Sequence, residues 1–286
     1  MPNRRDALKA SLAAMLAAAA APSPADGQTR GVIKLGKIKQ SVCRWCYRDI
    51  PLPELCQAAA EIGLTAMDLL TPEEWPVAKQ HGLICSMGSG LGGPIENGLN
   101  DPANHESIVK GLTEGIPQAK KAGVPNVITF FGNRRGRSDE EAIKNCVTAL
   151  NRVKRVAEDN DITICIELLN SKVNHKDYQG DRTPFGVAVV SQVNSPRVKL
   201  LYDIYHMQIM EGDVIRTIKD NHQWIAHYHT GGVPGRNEID VTQELYYPAI
   251  VQAILDTGFQ GHMAHEFIPK RQPIASLREA VVLCDV

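Results

Sequence analysis

The chain has 286 residues, of which 43% are hydrophobic and 22% charged, and its 31 Lys and Arg nearly balance its 32 Asp and Glu. A formal net charge of −1 excludes a protein that grips nucleic acid or an anionic membrane by bulk charge. The length suits one large α/β barrel or two smaller domains.

Residues 1–30 differ from the rest. Arg4 and Arg5 lie in a basic start, residues 12–21 are an unbroken apolar run, and Pro22-Ser23-Pro24-Ala25 supplies small residues suited to cleavage after Ala25. This order predicts a cleavable secretory signal whose apolar run is too short to span a bilayer. The paired arginines resemble a twin-arginine signal, which exports folded proteins and implies a periplasmic destination. The mature domain is expected over 34–286, with no stable membrane insertion after cleavage. Seven cysteines, an odd number, stand at 43, 46, 56, 85, 146, 165 and 284. Cys43 and Cys46 have a redox or zinc spacing, but no second such pair completes a zinc site. Most are expected to be buried thiols, and a Cys43–Cys46 disulfide stays open.

From there the chain reads as repeating units. A strand over 38–43 leads to a helix over 52–62 that Gly63 stops. A strand over 65–70 is followed by Thr71-Pro72-Glu73-Glu74, a cap with Pro at the first helical position, which predicts a short helix. A third strand covers 83–87, and the Gly/Asn-rich stretch 88–104 is expected to be a loop that covers substrate. Helix 105–122 ends at Gly123, and strand 126–131 leads to Arg134, Arg135 and Arg137, which either grip an anion or form a solvated loop. Helix 139–160 carries Ile143, Val147, Leu150, Val153 and Val156 on helical spacing. Residues 162–166 form an apolar run that suits a parallel strand covered on both faces, and Glu167 stands where it ends. A helix begins near Thr183-Pro184, and the next strand ends at Asp203, one turn before His206. A helix over 213–221, a strand ending at His229, a Gly/Pro-rich loop holding Arg236, a helix over 246–256, a strand reaching Glu266 and a helix over 274–283 complete the chain.

Removing the leader leaves roughly 256 residues, or eight units of about 32, the size of a βα repeat. Unbroken alternation predicts a single (β/α)8 barrel, in which strand C-terminal ends converge on one mouth. Four consecutive strand ends then offer Glu167, Asp203, His229 and Glu266. Each has an ordinary explanation alone: Asp203 as a helix cap, His229 as a hydrogen-bonded core residue, the glutamates as partners of arginine. Together, three carboxylates at one mouth repel strongly unless a counter-ion joins them. A divalent cation would leave about one net negative charge. Oxygen-rich ligation with one imidazole suits Mn, Mg or Co, with Zn an option.

Four stretches then carry a resemblance: Ile166-Glu-Leu-Leu-Asn-Ser171, Tyr202-Asp-Ile-Tyr-His-Met-Gln208, His227-Tyr-His-Thr-Gly-Gly-Val-Pro-Gly-Arg236 and His265-Glu-Phe-Ile-Pro-Lys270. With Ser41-Val-Cys-Arg-Trp-Cys46 they resemble the hydroxypyruvate isomerase branch of the sugar isomerase/epimerase barrels, a superfamily that includes xylose isomerase, ketose 3-epimerases and endonuclease IV. The resemblance runs from about residue 38 to the C-terminus. It implies that Glu167, Asp203, His229 and Glu266 hold one divalent metal. It also implies that Glu167 and Glu266 are the catalytic acid/base pair and that His206 and Arg236 contact substrate oxygens. Asn170, His175 and Tyr178 are further candidates for the pocket. One departure is His229, where hydroxypyruvate isomerases carry Gln and ketose 3-epimerases carry His.

The implied reaction is proton transfer next to a carbonyl. A metal chelating adjacent hydroxyl and carbonyl oxygens acidifies the C–H between them, and a glutamate removes that proton to give a cis-enediolate. Return to the adjacent carbon isomerises a hydroxy-aldehyde and a hydroxy-ketone; return to the opposite face epimerises. An exported ketose 3-epimerase, a 3-keto-sugar epimerase or lyase, and a non-catalytic sugar-binding barrel are the alternatives. The expected partner is a small sugar-like hydroxy-carbonyl compound, not nucleic acid, and homo-oligomer formation stays open.

Overall fold

In the computed structural model, which describes residues 31–286, parallel strands close into a barrel; the expected signal segment lies outside the described residues. The strands are β1 (Lys39–Cys43), β2 (Ala66–Asp68), β3 (Ile84–Cys85), β4 (Gly88–Gly92), β5 (Asn126–Phe130), β6 (Thr163–Leu168), β7 (Val198–Asp203), β8 (Ile225–Thr230) and β9 (His262–His265). Their order is β3-β2-β1-β9-β8-β7-β6-β5-β4. β3 and β4 are halves of one broken strand: β3 pairs with β2, β4 pairs with β5, and a parallel bridge from Leu70 to Gly88 closes the ring. The glycines at 88–92, expected to open a loop, therefore continue the third strand. A Cβ on Gly92 would collide with the Ile128 carbonyl and Thr129, so glycine here permits close strand approach.

The helices are α1 (Leu52–Ile62), α2 (Trp75–Gln80), α3 (His105–Ala122), α4 (Asp139–Asn160), α5 (Thr183–Val193), α6 (Ile204–Met210), α7 (Val214–Asn221), α8 (Tyr247–Asp256) and α9 (Pro273–Leu283). Gly63 and Gly123 end α1 and α3 in the left-handed region, as C-cap glycines do. α2 begins at Trp75 rather than Pro72. Residues 72–74 form a turn, in which the Thr71 N–H donates to Glu74 Oε2 at 3.0 Å. α4 also sits slightly rotated from expectation. It buries Ala142, Cys146, Ala149, Leu150, Val153 and Ala157, with Ile143, Val147 and Val156 only partly covered. Small side chains face inward because they let the helix approach its neighbours closely.

Two apolar clusters result. The larger fills the layer between strands and helices; the smaller, Met87, Ile128, Cys165 and Leu201, fills the barrel interior. All positions of β6 are buried because one set faces each cluster, which is why its sequence does not alternate. All seven cysteines are free thiols and six are buried.

At the barrel's N-terminal end, His262 is buried with its Nε2 3.4 Å from Thr65 Oγ1. Burial, with His227 nearby, pushes His262 down to about 4. The folded protein thus keeps it neutral where the unfolded chain takes up a proton. Its contribution is complete above about pH 6.5 and is lost as pH falls towards 4, by up to about 3 kcal/mol. Denaturant unfolding of His262→Gln across pH 4–7 is expected to lose that part of the slope.

Candidate active site

Side chains alternate across a strand, so residues two apart share a face. Cys165 and Leu201 point into the barrel; Glu167 and Asp203 therefore point the same way one step nearer the mouth. Asp203 lies in register with His229 on the next strand. Glu266 follows the last residue of β9, and its backbone N–H donates to Thr230 O at 3.1 Å. Each of Glu167, Asp203, His229 and Glu266 brings one donor atom to within 4.8 Å of the others, and all four residues are buried.

The details of the cluster favour a cation at its centre. His229 Nδ1 stands 2.7 Å from Glu266 Oε2 and 3.3 Å from Glu167 Oε1. Neither contact is aligned as a hydrogen bond, and Nδ1 and Glu167 Oε1 are buried without a partner. The other ring nitrogen, Nε2, is 3.1 Å from Asp68 Oδ1. Carboxylates thus face both ring nitrogens, and against burial the Glu266 charge and the Asp68 contact raise His229 well above the ordinary histidine value. A cation between Nδ1 and the glutamates would replace the proton there, leaving a lone pair on Nδ1 and the remaining proton on Nε2 opposite Asp68. A lone pair facing carboxylate oxygens is the arrangement of ligands around a dication. Three oxygens and one nitrogen fit Mn, Mg, Co or Zn.

Arg236 completes the charge balance. It comes from a tight loop closed by Gly232 N–H to Asn237 O at 2.9 Å, and it has a left-handed φ of 58°. Its Nη2 donates to Asp203 Oδ2 at 3.0 Å and Glu266 Oε2 at 2.5 Å. Its guanidinium lies between the rings of Trp45 and Tyr205, at 5.0 and 5.2 Å from their centroids. Three carboxylates, this guanidinium and a dication sum to zero, so the negative charge expected from the ligands alone is cancelled.

Burial pushes Asp203 up to about 8, opposed by Arg236 and assisted by the Glu266 and Glu167 charges. Burial also raises Glu167. Glu266 goes the other way: burial acts against its charge, but Arg236 and His229 outweigh it and hold it below the usual carboxylate range.

Asp203 serves two purposes at once. Its Oδ1 accepts the His206 backbone N–H at 3.1 Å and caps α6, while Oδ2 faces Arg236. The cap swings His206 beneath the cluster, where its Nε2 is 3.5 Å from Asp203 Oδ2 and has no hydrogen-bond partner. His206 Nδ1 accepts the Asn170 backbone N–H at 3.0 Å, so Nε2 carries the proton. Burial and Arg236 hold His206 well below its ordinary value, which keeps it a neutral donor.

A cavity of about 400 Å³ lies in front of these groups, with Trp45, Phe130, Glu167, His175, Arg236 and Glu266 in its walls. Ser89, Gly90 and Ile95 line it too, so the glycine-rich stretch does border the site. A separate apolar groove of about 500 Å³, between α8 and α9, holds none of the clustered ligands.

Two expectations need correction. Asn170 does not line the cavity: its Nδ2 is 2.6 Å from His206 Nδ1 and donates to Asn174 Oδ1 at 2.8 Å, and its Oδ1 accepts from the Val173 and Asn174 N–H groups. Its polar atoms hold His206 and the following turn. Tyr178 is likewise internal, donating to Glu167 O at 2.9 Å and accepting from Phe131 N–H at 2.8 Å. His175 does line the cavity, its ring 5.4 Å from that of His206. The arginines after β5 tie loops together: Arg137 pairs with Asp101 and Arg134 with Asp139, each at 2.6 Å.

Two further residues bear on the site. Trp45 Nε1 donates to Glu266 Oε1 at 2.5 Å. Asp68, fully buried at the end of β2, backs His229. Asp68 carries the same signature as Glu167, Asp203 and Glu266, a carboxylate where a strand runs out.

The family model for the xylose isomerase-like TIM barrel matches residues 56–283. The chain belongs to the xylose isomerase-like TIM barrel family. It is 32% identical over 235 residues to a 2-oxo-tetronate isomerase of Cupriavidus necator, covering 77% of this chain and 88% of that one. It is 26% identical over 238 residues to a putative hydroxypyruvate isomerase of Homo sapiens, covering 82% and 80%. In fold it is similar to a Brucella melitensis protein described as an AP endonuclease of family 2, with TM-score 0.75, 21% identity and coverage of 84% and 97%. It is also similar to the Escherichia coli 3-keto-D-glucoside 4-epimerase, with TM-score 0.72, 16% identity and coverage of 86% and 98%. This xylose isomerase-like barrel is thus an enzyme of the sugar isomerase/epimerase kind.

Proposed function

We propose that the protein is a divalent-metal-dependent isomerase that interconverts a small hydroxy-aldehyde and hydroxy-ketone, similar to hydroxypyruvate isomerase. The observation that carries this reading is the set of four converging donors, of which His229 Nδ1 and Glu167 Oε1 are buried without a hydrogen-bond partner. Glu167, Asp203, His229 and Glu266 would hold the ion, with Mn or Mg preferred and Co or Zn compatible. When bound, the ion polarises a chelated carbonyl and acidifies the neighbouring C–H.

The chain's own groups do the rest. Glu167 and Glu266, both facing His229 Nδ1, remove the proton and return it to the adjacent carbon. His206 donates its Nε2–H to a substrate oxygen. Arg236 keeps Asp203 and Glu266 in position and offers its remaining N–H groups to a substrate oxygen. Trp45 orients Glu266, and the apolar wall with Phe130 limits water around the charge that develops.

A second reading, epimerisation of a ketose or 3-keto-sugar, draws on His229, which stands where the resemblance associates His with 3-epimerases. Both readings predict deuterium entry next to a carbonyl when hydroxy-ketones are incubated in heavy water with Mn²⁺ or Mg²⁺. Exchange with an aldose–ketose product supports the isomerase, and exchange with inversion at the same carbon supports the epimerase. Sugar binding without exchange would make the protein a non-catalytic barrel. Export through residues 1–30 is part of the proposal, and cell fractionation with periplasmic recovery of the processed chain tests it.

A further inference from the structure

Asp68 is a carboxylate outside the four clustered ligands. It is fully buried, and donors from three strand segments converge on it. Its Oδ2 accepts from the hydroxyls of Ser86 and of Ser41, the latter at 3.4 Å. Its Oδ1 accepts from the Cys43 thiol at 3.6 Å and faces His229 Nε2 at 3.1 Å. His227 Nε2 stands 3.1 Å from Oδ2. Among the described residues no lysine or arginine touches it, so the buried anion is held by neutral donors and imidazoles. Burying such a charge costs several kcal/mol unless its partners repay it, and here His227 and His229 outweigh burial and hold Asp68 below the usual carboxylate range.

The geometry indicates the task. A neutral imidazole has two tautomers. With the proton on Nε2, His229 donates to Asp68 and turns the Nδ1 lone pair to the cluster. With the proton on Nδ1, the N–H would point at Glu266 Oε2, 2.7 Å away, and occupy the direction a metal needs. The Nε2 lone pair would then face Asp68 Oδ1. A carboxylate opposite Nε2 penalises that second tautomer; Glu266 and Glu167 penalise a bare Nδ1 in the same way until a cation stands between them and the ring. We propose that Asp68 is a positioning residue that fixes the metal-ready tautomer of His229 and thereby sets the affinity of the cluster for a dication. This inference rests on the metal-binding reading above and assigns a role to a residue outside the ligand set. Partners of this kind behind metal-bound histidines alter affinity about 10–100-fold.

The test is Mn²⁺ titration of the metal-free full chain by calorimetry, for the unsubstituted protein, Asp68→Asn, His229→Ala and the double variant. Asp68→Asn is expected to weaken Mn²⁺ binding about 10–100-fold when His229 is present. In the His229→Ala background it is expected to change affinity less than about twofold, because no ring is left to orient. An equal loss in both backgrounds, or wild-type affinity for Asp68→Asn, overturns the inference while leaving the metal site standing. No Mn²⁺ binding by the unsubstituted chain overturns the metal reading itself, and this inference with it. Should Asp68→Asn not fold, nitrogen-15 NMR of the metal-free unsubstituted chain decides, at a pH high enough to leave a single proton on His229: that proton on Nε2 supports the inference, and on Nδ1 overturns it.

Discussion

Glu167→Gln and Glu266→Gln are each expected to lower kcat by about 10²–10⁴-fold, the usual contribution of a positioned proton-transfer group. Glutamine keeps the shape and one metal-ligating oxygen but cannot accept the substrate proton. The two variants should differ in stability. Burial and the Glu266 charge push Glu167 up, so removing the Glu167 charge relieves repulsion in the metal-free state, whereas Glu266→Gln also breaks the buried pair with Arg236. Thermal unfolding in the presence of a chelator is therefore expected to hold or rise in Glu167→Gln and to fall in Glu266→Gln, while turnover collapses in both. A fall in Glu167→Gln turnover that merely follows a fall in stability would contradict the assignment.

Arg236→Leu is expected to have the largest effect on stability. The guanidinium is the counter-ion of Asp203 and Glu266 and is itself buried between two aromatic rings. Removing one partner of a buried ion pair typically costs about 3–5 kcal/mol because the remaining charges lose their compensation. Denaturant unfolding with chelator present should show that loss. Unfolding with saturating Mn²⁺ should show a smaller one, since the ion supplies the missing positive charge. A loss below about 1 kcal/mol, or one that Mn²⁺ leaves unchanged, would mean that the cluster does not depend on cationic compensation.

Much of this site could be read before the fold was known, for a physical reason. A parallel barrel collects strand C-terminal ends at one mouth, so Glu167, Asp203, His229 and Glu266 reveal themselves as polar residues that end apolar runs. Helix limits were equally legible where chemistry marks them, as at Gly63 and Gly123. What escaped depends on contacts that no local pattern encodes. Gly88–Gly92 resembles a loop because glycine also serves where strands approach closely. Asn170 sits at a strand end like the ligands, yet its hydrogen bonds are consumed by His206 and Asn174. Arg236 was identified as a substrate contact, but its neutralising bonds to Asp203 and Glu266 arise from the reach of a loop across the mouth. Asp68 fell inside the expected strand 65–70, whereas β2 ends at it, and its significance becomes visible only when His229 is seen against it.

The central claim is that one dication is held among these four side chains. Crystals of the purified full chain soaked in Mn²⁺, with diffraction recorded near the manganese absorption edge, test it directly. The account predicts one anomalous peak per chain at roughly 2.0–2.4 Å from oxygens of Glu167, Asp203 and Glu266 and from His229 Nδ1. A cluster without a peak at saturating Mn²⁺, or one whose peak lies elsewhere on the barrel, would contradict it.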